Sequence, residues 1–147
     1  VPAFEMTWTA TDDFTSSLLP PDSGGLLPAL NLWRRLAVEG ADNFGEVSYL
    51  GQVPLAVDSD RTRRMVDTLV GLHKGVECRF MFDPTEGRLL AIEMFAAEDA
   101  DPCEIYFTGH HEIDGRTVPA RMEVRSGNDV FAIFNLNQMT FEEKTEP

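Results

Sequence analysis

The chain has 147 residues, a net charge of −13 and a pI near 4.4, a balance that repels polyanions and argues against nucleic acid and anionic membrane surfaces as partners. Ten Phe and 43% hydrophobic residues supply one domain core, enough to bury roughly two thirds of the unfolded surface, which excludes a disordered chain. No apolar run approaches the roughly 18 residues of a spanning helix, and the bare Val1-Pro2 start, without a visible signal peptide, reads as a processed product or a piece of something longer.

Residues 3–10 alternate with Phe4, Met6 and Trp8 on one face and read as a short strand. Residues 11–25 are rich in Ser, Asp, Pro and Gly and read as a loop, with Gly24-Gly25 as a flexible lead into a helix. From Leu26 to Glu39, the set Leu26, Leu30, Trp33 and Ala37, flanked by Leu27, Leu32 and Leu36, has helical spacing. Pro28 is tolerated in a first turn and Gly40 is a natural stop. Val47–Leu50 and Val53–Val57 read as a hairpin around Gly51-Gln52. Residues 65–72 fit a helix through Met65, Leu69 and Leu72, and a strand through Val66, Thr68, Val70 and Leu72; β-branched content and the turn His73-Lys74-Gly75 favour the strand.

From Val76 to Leu136 five strand-like segments come in succession: 76–82, 88–95, 103–113, 116–125 and 130–136. Their short polar or Gly-containing links make an antiparallel meander. Asp114-Gly115 is a preferred two-residue hairpin turn, and it sets Ile113 opposite Arg116, His111 opposite Val118, Phe107 opposite Met122 and Ile105 opposite Val124. The next loop then pairs Val124 with Phe131 and Met122 with Ile133. Across 83–87, Phe80 meets Leu90, Cys78 meets Ile92, Val76 meets Met94, and Glu77 falls uncomfortably opposite Glu93. One face becomes apolar and the other largely charged, as for a sheet solvated on one side. The expected fold is α+β in a single domain spanning 1–147: an N-terminal strand and loop (1–25), one long helix (26–39) and an antiparallel sheet within 45–142, about nine strands in all with the N-terminal one counted, the helix lying on the apolar face.

The residues offer little chemistry. Cys78 and Cys103 lie on strands separated by a third, about 9–10 Å apart at the usual strand spacing, beyond the roughly 7 Å reach of a disulfide, so two buried thiols are expected. His110 and His111 point to opposite faces of a regular strand and cannot share a metal; His111 should face the apolar side and His110 the solvent beside Pro119. Glu93, Glu104 and Glu123 interleave with Arg79, Arg121 and Arg125 on a flat, solvated face, which fits cross-strand pairing better than acid–base work. No nucleophile elbow, zinc-protease helix, P-loop or dinucleotide fingerprint is present. No catalytic residue, metal site or cofactor is expected. The basic run Arg61, Arg63, Arg64 reads as a solvated loop or a contact for an acidic partner or phosphate.

The stretches GEVSYLGQVPL, VDTLVGLHKGVECRFMFDPTEGRLLAIEMF and EIYFTGHHEIDGRTVPARMEVRSGNDVFAIFNLNQMTFE resemble the C-terminal part of the outer-membrane lipoprotein-sorting (LolA/LolB-like) carriers. The likeness is carried by a strand ending in Phe82-Asp83-Pro84, a turn at Gly87, and Ile113-Asp114-Gly115 followed by Pro119 and Arg121. It covers roughly residues 30–142 of this sequence. The resemblance implies a strongly curved half-barrel whose concave face is capped by helix and holds acyl chains. Leu30, Trp33 and Ala37 would then cover a floor of Phe80, Ile92, Ile105, Phe107, Met122 and Ile133. It further implies a periplasmic or otherwise extracytoplasmic place, a lipid or protein as partner, and no catalysis. A full carrier's N-terminal strands and helices are missing or compressed into residues 1–25, and no lipid-anchoring cysteine heads the chain. Such modules also resemble tail domains of larger secreted chains, such as trypsin-like or PDZ-containing proteases. The alternative is therefore an accessory or interaction domain whose side chains fill the concavity.

Overall fold

The computed structural model describes residues 25–56, 63–96, 98–99, 101–127 and 129–141. The strand expected at 3–10, the loop at 11–24 and Arg61 lie outside the described residues. Helix α1 spans Leu26–Glu39 and a four-residue helix α2 spans Ala41–Phe44. Nine strands come after them: β1 (Glu46–Ala56), β2 (Arg63–His73), β3 (Val76–Phe82), β4 (Leu89–Phe95), β5 (Cys103–Thr108), β6 (His111–Ile113), β7 (Arg116–Val118), β8 (Arg121–Ser126) and β9 (Asp129–Asn135). Seven of them form one antiparallel sheet in the order β1-β2-β3-β4-β5-β8-β9, and β6-β7 stand apart as a two-stranded ribbon. The architecture is an antiparallel sheet with a helix of 14 residues on one face, and the sheet is neither closed nor strongly curled.

Helix α1 ends where the sequence expects it to. Gly40 has φ 80° and donates its amide to the Leu36 carbonyl at 3.1 Å. The buried line on the helix is Leu26, Ala29 and Leu32, flanked by Leu30, Trp33 and Leu36. Ala37, expected on the core side, is exposed. The contact line follows the i, i+3 row through Ala29, whose small side chain lets the helix approach the sheet closely, and this turns Ala37 outward. Gly25 precedes the helix at φ 83°, and a Cβ there would sit 2.8 Å from that of Cys103. Only glycine fits this close approach, so Gly25 is a packing position and not a flexible lead.

The sheet's core row is Phe80, Ile92, Ile105 and Val124, paired in register across β3, β4, β5 and β8 and all fully buried. Beside it Cys78 and Cys103 flank Met94, one strand to each side. Both thiols are free, and burial pushes that of Cys103 up to about 12 and that of Cys78 higher still, which leaves them protonated and unreactive. Helix α2 delivers Phe44 onto the other end of this face. Its ring stands edge-on to Phe80 at 5.9 Å and fills the space above Gly71, where a Cβ would lie 2.5 Å from it.

Residues 63–73 form a strand, as their β-branched content indicates, and the register from Ile113–Arg116 back to Ile105–Val124 is the one Asp114-Gly115 dictates. Three expectations are corrected. Residues 46–56 are one long strand in which Leu50 bulges beside Gly51 (φ 110°), not a hairpin. Phe80 pairs with Ile92 and Cys78 with Met94, a slip of two: one residue comes from the turn, where Phe82 meets Leu89 and not Arg88, and one from a bulge at Leu90; Glu93 thereby meets Arg79 and escapes Glu77. A third bulge, at Phe131, shifts β9 by one residue, so Ala132 and Phe134 face the core while Phe131 and Ile133 are half exposed on the outside. A slip of two preserves the face of every side chain and a slip of one inverts it.

The back of the sheet is charged only in part. Glu123 holds Arg121 at 3.1 Å and Arg125 at 2.7 Å, and Arg79 lies 3.0 Å from Glu77 and 3.6 Å from Glu93. The other part is a second apolar cluster of Leu55, Val66, Met81, Leu90 and Ala91.

Candidate functional site

Three structures meet at the end of the sheet beyond Trp33. The first is the turn between β3 and β4. The buried Asp83 carboxylate accepts hydrogen bonds from the Thr85 amide at 2.8 Å and the Glu86 amide at 3.1 Å. It also pairs with Arg64 and, at 3.9 Å, with Arg88. The Glu86 amide above all, with the Thr85 amide and both guanidinium groups, holds this carboxyl below its usual range against the cost of burial. Arg64 of the basic run is therefore a strand residue tied to Asp83, not part of a solvated loop.

The second is the β6–β7 ribbon. Gly109 at φ 68° ends β5, Ala120 donates its amide to the Thr108 carbonyl at 3.0 Å, and the hairpin beyond them leaves the main sheet. Leaving the sheet reverses the two histidines. His111 is exposed, whereas His110 is partly buried with Nε2 3.1 Å from the Leu89 carbonyl. Burial lowers the His110 pKa, so at neutral pH the ring is uncharged and donates Nε2–H to that carbonyl. The third is the segment after β9. The Leu136 amide bonds the Ala120 carbonyl at 2.8 Å, and Phe141 lies under the Arg116 guanidinium, 4.4 Å from its ring centre.

Between these walls and the helix lies an open cleft of about 1040 Å³. Leu30 and Trp33 of the helix, Leu89, and Phe107 and Met122 of the sheet supply its apolar surface, with Leu136, Met139 and Phe141 on the C-terminal side. Trp33 marks its inner limit, packed against Phe80 at 5.9 Å and Phe82 at 6.2 Å.

Of the apolar lining expected from the sequence, Leu30, Trp33, Phe107 and Met122 come together at this cleft. Phe80, Ile92 and Ile105 lie fully buried under the helix, where they fill the core and do not line the cleft. Ala37 and Ile133 are on the outside. Sequence reasoning missed the charged and aromatic rim: Arg88, His110, Arg116 and Phe141. Gly109 and Pro119 in the middle of two supposed strands were the available sign that the hairpin departs from the sheet.

Among the described residues no three His, Cys, Asp or Glu side chains gather to hold a metal ion, and no helix is long and apolar enough to cross a membrane. The carboxylates of the back face stand beside arginines on an open surface, away from this cleft. No family model, no curated protein and no solved structure matches the chain.

Proposed function

We propose that this chain is a non-catalytic, extracytoplasmic binding domain that holds a lipid or other apolar ligand. The observation that carries the reading is the cleft of about 1040 Å³, well above the ~300 Å³ at which small-molecule sites begin. The resemblance to lipoprotein carriers supports the ligand class and the compartment. It also brings the idea of a half-barrel that curves about an acyl chain. The ligand would lie at the end of the sheet beside the helix, against Leu30, Trp33, Phe107 and Met122, because the centre of the sheet is already occupied by side chains. Titration of the folded protein with a fluorescent fatty-acid probe tests the proposal: saturable uptake is expected, and none at all would remove it.

One observation favours a second reading, an accessory or interaction domain, such as the tail of a larger secreted protein of the trypsin-like or PDZ-containing protease kind. Both edge regions of the sheet expose apolar side chains, Tyr49, Leu50, Met65 and Leu72 at one and Val130, Phe131 and Ile133 at the other, and exposed apolar edges are where strands add to one another. Changing Phe131 and Ile133 to Ser separates the two readings. Probe uptake should survive these changes if the cleft is the site.

A further inference from the structure

Charge is distributed against the trend of the chain at this cleft. The protein carries 25 acidic and 12 basic side chains, yet among the described residues the ionised groups lining the cleft are Arg88, Arg116 and a single carboxylate, Glu86. Arg88 binds Glu86 at 2.8 Å and so cancels it, while the Nε proton of Arg88 is buried without a partner. Arg116 stacks on Phe141 and pairs with no carboxylate among the described residues. His110 adds no charge, since it is neutral at physiological pH. An apolar cleft whose mouth holds a guanidinium with no carboxylate beside it among the described residues is suited to a ligand that is greasy along its length and anionic at its end.

Resting on the carrier reading above, we infer that the ligand is a single-chain amphiphile ending in a carboxylate, a long-chain fatty acid, with its head at Arg116 and Arg88 and its chain along Trp33, Phe107 and Met122. A guanidinium presents parallel N–H donors that match the two oxygens of a carboxylate. Stacking on Phe141 fixes the plane of that fork before the ligand arrives, which lowers the ordering cost of binding. The acidic remainder of the surface disfavours anionic ligands elsewhere, so the head group selects the site as well as the orientation.

The experiment compares decanoate, decanol and decylammonium by calorimetric titration at one ionic strength, with the intact chain and with Arg116→Gln and Arg116→Glu. Arg116 is exposed and outside the core, so both variants should fold, which thermal melting verifies. Decanoate should bind at least ~10-fold more tightly than decanol, as a charge-assisted hydrogen bond predicts. Arg116→Gln should bring the two within ~3-fold while leaving decanol unchanged, and Arg116→Glu should favour decylammonium. Equal affinity for decanoate and decanol in the intact protein overturns the head-group inference and leaves the apolar site standing. A full decanoate preference in Arg116→Glu overturns the assignment to Arg116. Saturable binding of none of the three overturns the carrier reading itself.

Discussion

The two ends of one sheet face follow opposite rules. At the α2 end the space is consumed to the last atom: Phe44 sits where a Cβ on Gly71 would be, and Gly25 abuts Cys103. At the other end Phe107 and Met122 of the same face and Leu30 and Trp33 of the helix border a volume that no described side chain fills, and the walls are a turn, a ribbon and a terminal segment. Stability is concentrated where glycines let large rings approach the backbone, and ligand capacity where irregular segments stand off from the sheet. A rigid scaffold that presents its binding groups from loops and turns separates the two roles in this way.

The sharpest break of that contrast comes from one phenylalanine at each end. Phe44→Ala should cost about 3–5 kcal/mol, the range for emptying a buried aromatic site, read from the urea midpoint. Phe141→Ala, at a residue 36% exposed, should change stability by no more than ~0.5 kcal/mol and weaken fatty-acid uptake several-fold. If both variants lose similar stability, the open end is part of the core and the distinction is false.

Asp83 is the next test, because it holds the turn that presents Arg88. Asp83→Asn keeps the shape and removes the charge that two amides and two guanidiniums address, at a cost of about 1–3 kcal/mol. Its folded-state pKa lies below the ordinary value. The stability it contributes is therefore complete above the unfolded carboxylate range, near pH ~4, and is lost as pH falls through the lower folded value. The intact protein should thus lose stability on acidification more steeply than Asp83→Asn, and the two curves should approach one another at the acid end.

How far the sequence could be read depended on which residues fix register locally. Asp114 at φ 51° and Gly115 at φ 75° make the hairpin turn expected of them, and every pair from Ile113–Arg116 to Cys103–Ser126 keeps the same register. The bulges at Leu90 and Phe131 left no such mark. Around Phe131 the chain reads VFAIFNL, apolar at odd and even positions alike, so burying Phe131 and Ile133 looked as good on paper as burying Ala132 and Phe134. In the helix, Leu26, Leu30, Trp33 and Ala37 form as regular a stripe as Leu26, Ala29 and Leu32, and the choice between them falls to close packing, which hydrophobicity does not encode. The cleft was half legible: its apolar floor follows from alternation, whereas its cationic mouth required knowing that the ribbon turns away at Gly109.

Asn31 offers a way to strengthen the filled side. It lies fully buried in α1, and neither its amide nitrogen nor its amide oxygen has a hydrogen-bond partner among the described residues. Asn31→Leu keeps the number of side-chain heavy atoms and removes two unsatisfied groups; its methyls are bulkier than the amide, which returns part of the gain in a packed site, so stability should rise by about 1 kcal/mol. The midpoint of thermal unfolding checks it, with fatty-acid uptake unchanged.

The smallest effect belongs to Glu93, on the back of the sheet opposite Glu104. Burial foremost, then the charges of Glu104 and Glu77, raise its pKa above the ordinary carboxylate value, and Arg79 at 3.6 Å opposes them. A folded-state pKa raised in this way means that the ionised group weakens the fold at neutral pH, and that protonation removes the penalty as pH falls through the folded value; Asp83 has the opposite sign. Glu93→Gln discards both the repulsion from Glu104 and the attraction of Arg79, each worth about 0.2–1 kcal/mol across strands, so a net gain of only a few tenths is expected at pH 7. Its advantage should shrink toward pH 4, where the wild-type carboxyl is itself protonated. A loss of stability at pH 7 that recovers in acid would instead make the Arg79 ion pair the stronger partner and reverse the account of this face.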